Sequence, residues 1–400
     1  MPRVRSRIHD IVLPPFDPLN SRAAELRAAG HQVISLGQAV PFFAPPPAAI
    51  EAARRAVDRP EVHRYVTDPG LPGLRDALAA RLPGSITRDD LLITAGGNHA
   101  FTLVLTTIVD AGDEVVLHAP YFTNHHGAIV AAGAAPVEAP VADRKMFAVR
   151  WSDLEPHLTP RTKAVVLCNP SNPTGAPVDA RDGEQIVGEL ARRGIFVISD
   201  ETYMHFAYEG GHWSAASVDG WRENVIVIGT FSKSFGMMGW RVGFVQADAA
   251  ICAEAVKVQD AMIICAPAIS QMAGEAAVRD AWTYAESFHA ELRARRRILS
   301  EALAAIPRVH WVPTRGGLFA FARVDGCTDS TALARDLLED AHIVTIPGAA
   351  FGPSGEGHLR ISYGYANQAD LTEAMGRLQE FLARSGSEGA EERISRRENP

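Results

Sequence analysis

Lysine is scarce in this chain, and the position of one lysine suggests covalent chemistry with an aldehyde. Only four of the 39 basic residues are lysines. A primary amine condenses with an aldehyde to form a Schiff base, whereas a guanidinium does not, so the few lysines are the candidates for such a reaction. Lys233 lies in Thr230-Phe-Ser-Lys-Ser-Phe-Gly, just past the apolar run Val225-Ile-Val-Ile-Gly. A lysine among hydroxyl residues after a strand is a candidate attachment point for a cofactor. Composition alone does not prove this role.

Other polar residues also follow apolar runs. Asn169-Pro-Ser-Asn-Pro-Thr-Gly and Asp200-Glu-Thr-Tyr each come directly after one, and a buried aspartate there requires a cationic or hydrogen-bonding partner. Ala95-Gly-Gly-Asn opens a helical pattern, where free backbone N–H groups can bind a phosphate. Arg360 stands in the apolar segment His358-Leu-Arg-Ile-Ser-Tyr. Taken singly, each has a structural alternative: helix packing for the glycines, a turn for the prolines and an internal ion pair for the arginine.

The elements that must position these residues follow from the apolar pattern between about residues 90 and 250. Short runs rich in Val and Ile lack polar alternation, which is typical of strands covered on both faces. These runs are 91–94, 114–118, 163–168, 195–199, 224–228 and 241–246. Helical patterns, such as 98–109 and 183–193, separate several of them. The order predicts a large α/β domain with a mostly parallel sheet covered by helices, whose ligands bind beyond the carboxyl ends of the strands.

The pattern changes after a helical stretch near residues 282–305. Three strand patterns (317–324, 342–346, 358–363) and two helical ones (330–341, 367–382) follow, which predicts a smaller α+β domain. We expect a large domain over residues 45–290 and a small domain formed by residues 1–44 with 291–384. Residues 385–400 are rich in Ser, Gly, Glu and Arg, and we expect them to be a disordered tail.

Composition excludes several classes of protein. The chain is 47% hydrophobic and 22% charged, as globular proteins are, and no apolar run is long enough to suggest a membrane span. A net charge of −8 without a basic block argues against a nucleic-acid partner. The four cysteines form no CxxC pair and the histidines no HExxH pattern, so we expect free thiols in a reducing compartment and no metal site. Without a signal-peptide pattern at the start, we expect a cytoplasmic protein.

Together, the motifs resemble the fold-type I pyridoxal-phosphate enzymes of the class I/II aminotransferase group, from about Ile34 to Leu382. Four motifs in one order carry the resemblance: Asn-Pro-x-Asn-Pro-Thr-Gly, Asp-Glu-x-Tyr, Ser-Lys-x-Phe-Gly-x-x-Gly-x-Arg and a late Arg-Ile-Ser. The resemblance implies an aspartate-aminotransferase-like fold with pyridoxal 5'-phosphate as cofactor. It further implies a ping-pong Schiff-base exchange of the amino group between an L-amino acid and a 2-oxo acid. The implied assembly is a homodimer with shared active sites.

The resemblance assigns the catalytic residues. Lys233 would be the Schiff-base lysine and would move the substrate Cα proton. Asp200 would pair with the pyridinium nitrogen and keep it protonated. Tyr203 and Asn172 would hydrogen-bond the ring's phenolate oxygen, and Phe122 would stack on the ring unless it is an ordinary core aromatic.

The resemblance also assigns the phosphate site. Arginine offers a bidentate fork to a phosphate, and small residues free the backbone N–H groups of a helix start. Tyr65 would reach the phosphate from the neighbouring subunit, although core packing is an alternative for it. The other implied phosphate-binding residues are Gly96, Gly97, Asn98, Thr230 and Arg241.

The substrate side departs in part from the family pattern. Arg360 would clamp the substrate α-carboxylate, with Asn172 and Ala39 also on the substrate side. Relatives often have glycine at the position of Ala39 and an acidic residue at that of Phe42. Asn98 stands where some aspartate-specific relatives carry a basic residue. A neutral, aromatic or polar amino acid therefore fits as well as an acidic one.

Other functions could use the same motifs or the same fold. An enzyme using the same cofactor for elimination, replacement, cyclisation or oxidative decarboxylation is the main alternative, because one electron sink serves all of these reactions. A cofactor-sensing transcription regulator is not expected, because it would need a basic DNA-binding domain ahead of the fold, which starts near residue 30, and the net charge is acidic. A dinucleotide-dependent dehydrogenase and a P-loop enzyme are excluded, because no GxGxxG follows an early strand and no Gly-Lys pair occurs.

Overall fold

A computed structural model describes residues 6–142, 146–313 and 315–387, with side chains to residue 384. The described residues divide into two compact units. The large unit comprises those of Met1–Leu13, Pro41–His289 and Thr314–Gly317, and the small unit those of Pro14–Val40, Ala290–Pro313 and Leu318–Pro400.

The described strands are short and mostly buried. In chain order they are β1 Ile34–Ser35, β2 Leu91–Thr94, β3 Glu114–Ala119, β4 Ala135–Pro140, β5 Thr162–Cys168, β6 Phe196–Asp200, β7 Val225–Thr230, β8 Gly243–Gln246, β9 Val309–His310, β10 Phe319–Val324, β11 Ile343–Val344, β12 Ile346–Pro347 and β13 His358–Ser362.

The described α-helices range from 4 to 20 residues in length. In chain order they are α1 Phe16–Ala28, α2 Pro47–Val57, α3 Pro72–Ala79, α4 Gly97–Ile108, α5 Thr123–Ala132, α6 Trp151–Leu154, α7 Ala180–Ala191, α8 Phe231–Ser234, α9 Ala249–Ile263, α10 Ala268–Asp280, α11 His289–Ala304, α12 Ser330–Ala341 and α13 Gln368–Ser387.

A seven-stranded sheet forms the centre of the large unit. Its order is β2-β8-β7-β6-β5-β3-β4, and all neighbouring strands are parallel except β8, which is antiparallel to both β2 and β7. Side chains alternate between the two faces of a strand. Ile198 accordingly packs on the face that α4, α5 and α9 cover, and Val197 packs on the face that α6 and α7 cover. The predicted helix-covered, mostly parallel sheet is confirmed.

The small unit contains an antiparallel sheet of order β12-β13-β10-β9 and a parallel pair formed by β1 and β11. The predicted α+β character of this part is confirmed. Helix α13 continues to Ser387, so the first three residues of the segment expected to be a tail are helical. Residues 388–400 lie outside the described part of the chain.

The start of the chain differs from the expected division, which placed residues 1–44 in the small domain. The described residues before Pro14 pack in the large unit, against α5. Arg7 donates a hydrogen bond to the carbonyl oxygen of Ala131 at 3.1 Å, and Ile11 lies against Gly127. A cation at the carboxyl end of a helix is favourable, and the glycine leaves room for the isoleucine. No periodic pattern in so short a segment indicates such a contact.

Helix α7 provides a test of packing, because it contains two glycines in different surroundings. A Cβ atom on Gly183 would lie 2.3 Å from the Cη2 atom of Trp213. We expect Gly183→Ala to lower the free energy of unfolding by about 1–3 kcal/mol through overpacking. This loss should outweigh the roughly 0.5–1 kcal/mol that alanine gains over glycine inside a helix.

Gly188→Ala in the same helix is the matched control. A Cβ atom there meets only Arg192 Nη1, at 3.8 Å, so the helix gain should appear alone. Thermal unfolding followed by circular dichroism measures both variants. The expected result is a lower melting temperature for Gly183→Ala and an unchanged or higher one for Gly188→Ala. Equal shifts would contradict the contact with Trp213.

Candidate active site

Three parallel strands bring the candidate residues to one edge of the large sheet. Cys168, Asp200 and Ile228 lie side by side in β5, β6 and β7. The segment beginning at Asn169 therefore starts at the same edge at which β6 ends. Strand β7 continues to Thr230, and the single-turn helix α8, which contains Lys233, begins at the next residue. The three motifs predicted to follow these strands thus share the carboxyl edge of the sheet.

Asp200 is a buried carboxylate held in its ionised form. His125 Nε2 lies 2.9 Å from its Oδ2, and the backbone N–H of Thr202 donates to its Oδ1 at 3.0 Å. Burial by itself would raise the pKa of Asp200, but the hydrogen bond and charge of His125, with the hydrogen bonds from Thr202, lower the pKa below its usual value. An ionised carboxylate in this setting can stabilise a cation placed against it.

His125 itself is held by two aromatic rings, one on α4 and one just before α5. Its ring stacks on that of Phe101, with centroids 4.2 Å apart, and meets the ring of Phe122 edge-on at 5.3 Å. Phe122 immediately precedes α5, so the two residues lie one helical turn apart. The sequence analysis did not assign His125 to the site. The three-residue spacing from Phe122 is the only signal that points to it, and without knowledge of Asp200's position that spacing is uninformative.

A small cradle forms where β2 and β7 end beside the start of β8. Thr94 and Thr230 both pair with Gly243, whose own Cβ position is closed by the backbone of Gly229 and Gly96. Gly96 has φ +90°, and a Cβ atom on it would lie 2.3 Å from Arg241 Nη2. The positive φ favours glycine at this position, and a larger residue would also push the guanidinium away from the helix start.

The donors of this cradle are of several kinds. Helix α4 begins at Gly97, and the first N–H groups of a helix have no partner within it. Asn98 follows and is exposed. The guanidinium of Arg241 is exposed and donates to the carbonyl oxygens of Met238 and Ala95, at 2.8 and 3.3 Å. The structure thus brings together Gly96, Gly97, Asn98, Thr230 and Arg241 as the sequence predicted, and this donor set suits an anion.

Asn172 and Tyr203 are buried at the same edge. The backbone N–H of Asn172 donates to Cys168 Sγ at 3.4 Å, and burial raises the pKa of this thiol well above its usual value. Tyr203 follows Asp200 by three residues, and its ring meets that of Phe206 edge-on at 6.2 Å. A neutral thiol adds no negative charge beside Asp200.

Arg360 and Ala39 lie in the small unit. Arg360 is only 2% exposed and donates from Nη2 to the carbonyl oxygen of Gly37 at 2.6 Å, two residues before Ala39. Its guanidinium carbon is 5.0 Å from the ring centroid of Phe351 and 5.5 Å from those of Phe16 and Phe319. Aromatic faces attract a cation and fix its plane. The side chain predicted to bind a carboxylate is thus fixed on strand β13.

Tyr65 lies apart from these contacts, on the surface of the large unit. Its side chain is 77% exposed and lines a cavity of about 730 Å³ with Ile263, Cys265 and neighbouring residues up to Ile269. The alternative that Tyr65 packs in the core of this chain is therefore wrong.

Comparison with known proteins agrees with this geometry. Residues 31–378 match the family described as aminotransferase class I and II. The chain belongs to the class I and II aminotransferase family. This aminotransferase is 35% identical to the aspartate aminotransferase of Pyrococcus abyssi, over 90% of this chain and 94% of that protein. It is 33% identical to the aromatic-amino-acid aminotransferase 2 of Thermococcus litoralis, over 88% of this chain and 92% of that protein.

The fold comparison gives the same result. The aspartate aminotransferase from Thermus thermophilus with maleate superposes with a TM-score of 0.89 at 29% identity, and the match covers 95% of this chain and 100% of that one. The predicted family, fold and enzyme class are confirmed, and the protein is an aminotransferase. All three relatives are named aminotransferases, which favours amino-group transfer over the elimination, replacement, cyclisation or decarboxylation alternative.

The described residues offer neither a membrane-spanning helix nor a metal centre. No helix among them is long and apolar enough to cross a membrane. Within the same residues, no group of three or more His, Cys, Asp or Glu side chains is arranged to hold a metal ion.

Proposed function

We propose that this aminotransferase uses pyridoxal 5'-phosphate and that Lys233 is the amine that holds it covalently. The bound cofactor would supply an electron-accepting ring that stabilises negative charge at the substrate Cα. The observation that carries the proposal is the buried, ionised carboxylate of Asp200 at the end of β6, beside the strand that leads into Lys233. Asp200 would hold a protonated ring nitrogen, with His125 and Thr202 fixing both of its oxygens.

The cradle at the start of α4 fits the phosphate of this cofactor. Gly96 and Gly97 would offer backbone N–H groups, and Asn98 would complete the turn. The Thr230 hydroxyl and the Arg241 fork would add side-chain donors. The positive φ of Gly96 supports this role, because a larger residue would be strained there and would displace the guanidinium.

The remaining assigned residues would orient the ring and the substrate. Asn172 and Tyr203 would hydrogen-bond the ring's oxygen, and Phe122 would cover one face of the ring. Arg360 would bind the substrate α-carboxylate, and Asn172 and Ala39 would line the substrate side. Lys233 Nζ would then take the proton from the substrate Cα and return it, as a general base and acid.

We further propose a cytoplasmic homodimer in which Tyr65 of each subunit completes the other subunit's phosphate site. The strong exposure of Tyr65, next to a sizeable cavity, supports a role outside its own chain's core. The four cysteines are free thiols, which suits a reducing compartment.

The amino donor is expected to be neutral or aromatic. Phe42 meets the ring of Phe288 edge-on at 5.4 Å, and Phe43 stacks on the same ring at 4.4 Å. This aromatic group adjoins the turn of Lys233, because a Cβ atom on Gly236 would lie 2.6 Å from the Phe43 carbonyl oxygen. An apolar surface there favours an apolar substrate side chain over a carboxylate. Among the relatives, one is named for aromatic amino acids and another for aspartate.

An amino-acid panel tests this prediction. The purified holoenzyme is mixed with each amino acid, and the visible absorbance of the cofactor is followed. We expect kcat/KM for phenylalanine, tyrosine or methionine to exceed that for aspartate by roughly 10–200-fold, the discrimination that an apolar pocket provides. A preference for aspartate or glutamate would contradict the assignment of the aromatic group.

The same experiment separates transamination from the alternative chemistry. In a transaminase, the amino acid converts the cofactor to its amino form, and addition of a 2-oxo acid restores the starting spectrum. Release of ammonia with a keto product, without that reversible change, would overturn the proposed reaction.

A further inference from the structure

A buried network lies on the face of the sheet opposite the Asp200 side chain. Asp200 points toward α5, so the flanking residues Ser199 and Glu201 point toward the α7 face. Glu201 is only 2% exposed. Its Oε1 accepts hydrogen bonds from Ser199 Oγ, Ser214 Oγ and the Ala215 N–H, at 3.0, 2.9 and 3.0 Å. His212 Nε2 lies 2.8 Å from its Oε2. A buried carboxylate so surrounded is fixed in one position.

The same segment, residues 212–215, also reaches the loop that carries Asn172. The carbonyl oxygen of Trp213 accepts a hydrogen bond from Asn169 Nδ2 at 2.6 Å. Asn169 is fully buried, its N–H donates to the Asp200 carbonyl oxygen at 2.8 Å, and its Oδ1 accepts from the Val178 N–H at 2.9 Å. Asn169 therefore joins the end of β6, the 212–215 segment and Val178, which follows the 169–175 loop.

The third support of this segment is the Trp213 ring. It lies against Gly183 of α7, where no Cβ atom would fit. The helix thus fixes the ring, the ring fixes the backbone of residues 212–215, and that backbone is bonded to Glu201 and Asn169. Nothing in the sequence motifs marks this segment.

We propose that His212 and Glu201 are positioning residues that hold Asp200 and Asn172 in place from behind the sheet. The inference rests on the proposed cofactor roles of those two residues. His125 fixes the Asp200 side chain on one face, and the 212–215 segment fixes the Asp200 backbone from the other. A displacement of about 1 Å at a reacting group can cost roughly a hundredfold in rate, so such a support affects turnover as well as stability.

The test compares holoenzymes with alanine or glutamine at His212. Glutamine can place an amide N–H close to the position of Nε2 and so keep the hydrogen bond to Glu201, whereas alanine removes it. We expect His212→Ala to lower kcat about tenfold or more, with KM for the amino donor changed less than about threefold. The pH dependence of the cofactor's visible absorbance should shift as well, and His212→Gln should restore kcat to within about threefold of wild type.

His310→Ala is the matched control. His310 Nε2 lies 2.6 Å from Asp325 Oδ2, a pair of the same chemistry with both side chains about half exposed, in the small unit. Its loss should leave kcat and the absorbance unchanged, because exposed pairs contribute little. Wild-type kcat and absorbance in His212→Ala, with only a lower melting temperature, would overturn the proposal. Failure of glutamine to restore kcat would overturn it too.

Two milder variants decide the matter if His212→Ala does not fold. Ser214→Ala removes one donor to Glu201, and Gly183→Ala displaces Trp213 from the other side. A fall in kcat of about threefold or more in either variant supports the proposal, and wild-type kcat in both overturns it. An Asp200→Asn holoenzyme with near-wild-type kcat would instead overturn the proposed role of Asp200, whatever the result at His212.

Discussion

Replacement of Lys233 by arginine is expected to abolish transamination while the protein remains folded. Arginine keeps the positive charge and a similar length, but its guanidinium neither condenses with an aldehyde nor loses a proton at ordinary pH. Both proposed roles of Lys233, covalent attachment and transfer of the Cα proton, are lost together. General acid–base catalysis alone contributes about 10²–10⁴-fold, so kcat should fall by at least about 10³-fold.

Two measurements examine the two roles of Lys233 separately. Borohydride reduction of the holoenzyme, followed by peptide mapping, should place the cofactor on this residue in the wild type and on no lysine in the variant. Steady-state kinetics with the best donor of the panel measures the loss of turnover. The cradle at Gly96 and Arg241 is untouched, so the variant should still bind cofactor without a covalent bond.

Lys257→Arg is the control for this experiment. Lys257 is exposed in α9 and pairs with Glu254 at 2.7 Å, an interaction that arginine can also make. It should keep wild-type activity and labelling. Turnover by Lys233→Arg above about one-tenth of wild type, or an adduct on another lysine, would contradict the assignment.

The helices and strands were the part of this fold that the sequence predicted best. The run 91–94 coincides with β2, and the pattern 330–341 coincides with α12, where Asp329 Oδ1 accepts a hydrogen bond from the Ala332 N–H at 2.8 Å. A strand buried on both faces appears in the sequence as a continuous apolar run, and an N-cap residue marks where a helix begins. The pattern near 282–305 is less regular: residues Tyr284–Phe288 form a 3₁₀ turn, and α11 begins only at His289.

Contacts between segments that are distant in the chain could not be predicted from the sequence. The motifs placed Asp200 after a strand, but its partner His125 lies 75 residues earlier in the chain. The hydrogen bond from Arg7 to Ala131 spans 124 residues. Such pairs depend on strand order and on the packing of helices against the sheet. Local patterns in a single sequence do not reveal the strand order or the packing of helices against the sheet.

Asp200→Asn is the second substitution for which we expect a large loss. Asparagine has the same shape but no charge, so it cannot keep a ring nitrogen protonated. In the wild type, the lowered pKa means that Asp200 stays ionised as the pH falls through the mildly acidic range and becomes protonated only below its usual value of 3.8. Its charge is therefore present over the whole working range, and removing it should lower kcat by about 10³-fold at every pH tested there.

The loss should be confined to turnover, because Lys233 and the phosphate cradle remain. Borohydride should still attach the cofactor to Lys233 in Asp200→Asn, while the pH dependence of its visible absorbance changes. Asp325→Asn is the matched control, since Asp325 also pairs with a histidine, at 2.6 Å, but on the surface. It should behave as wild type, because solvent screens that pair. If Asp200→Asn kept kcat within about tenfold of wild type, this result would contradict the proposal that Asp200 keeps the ring nitrogen protonated.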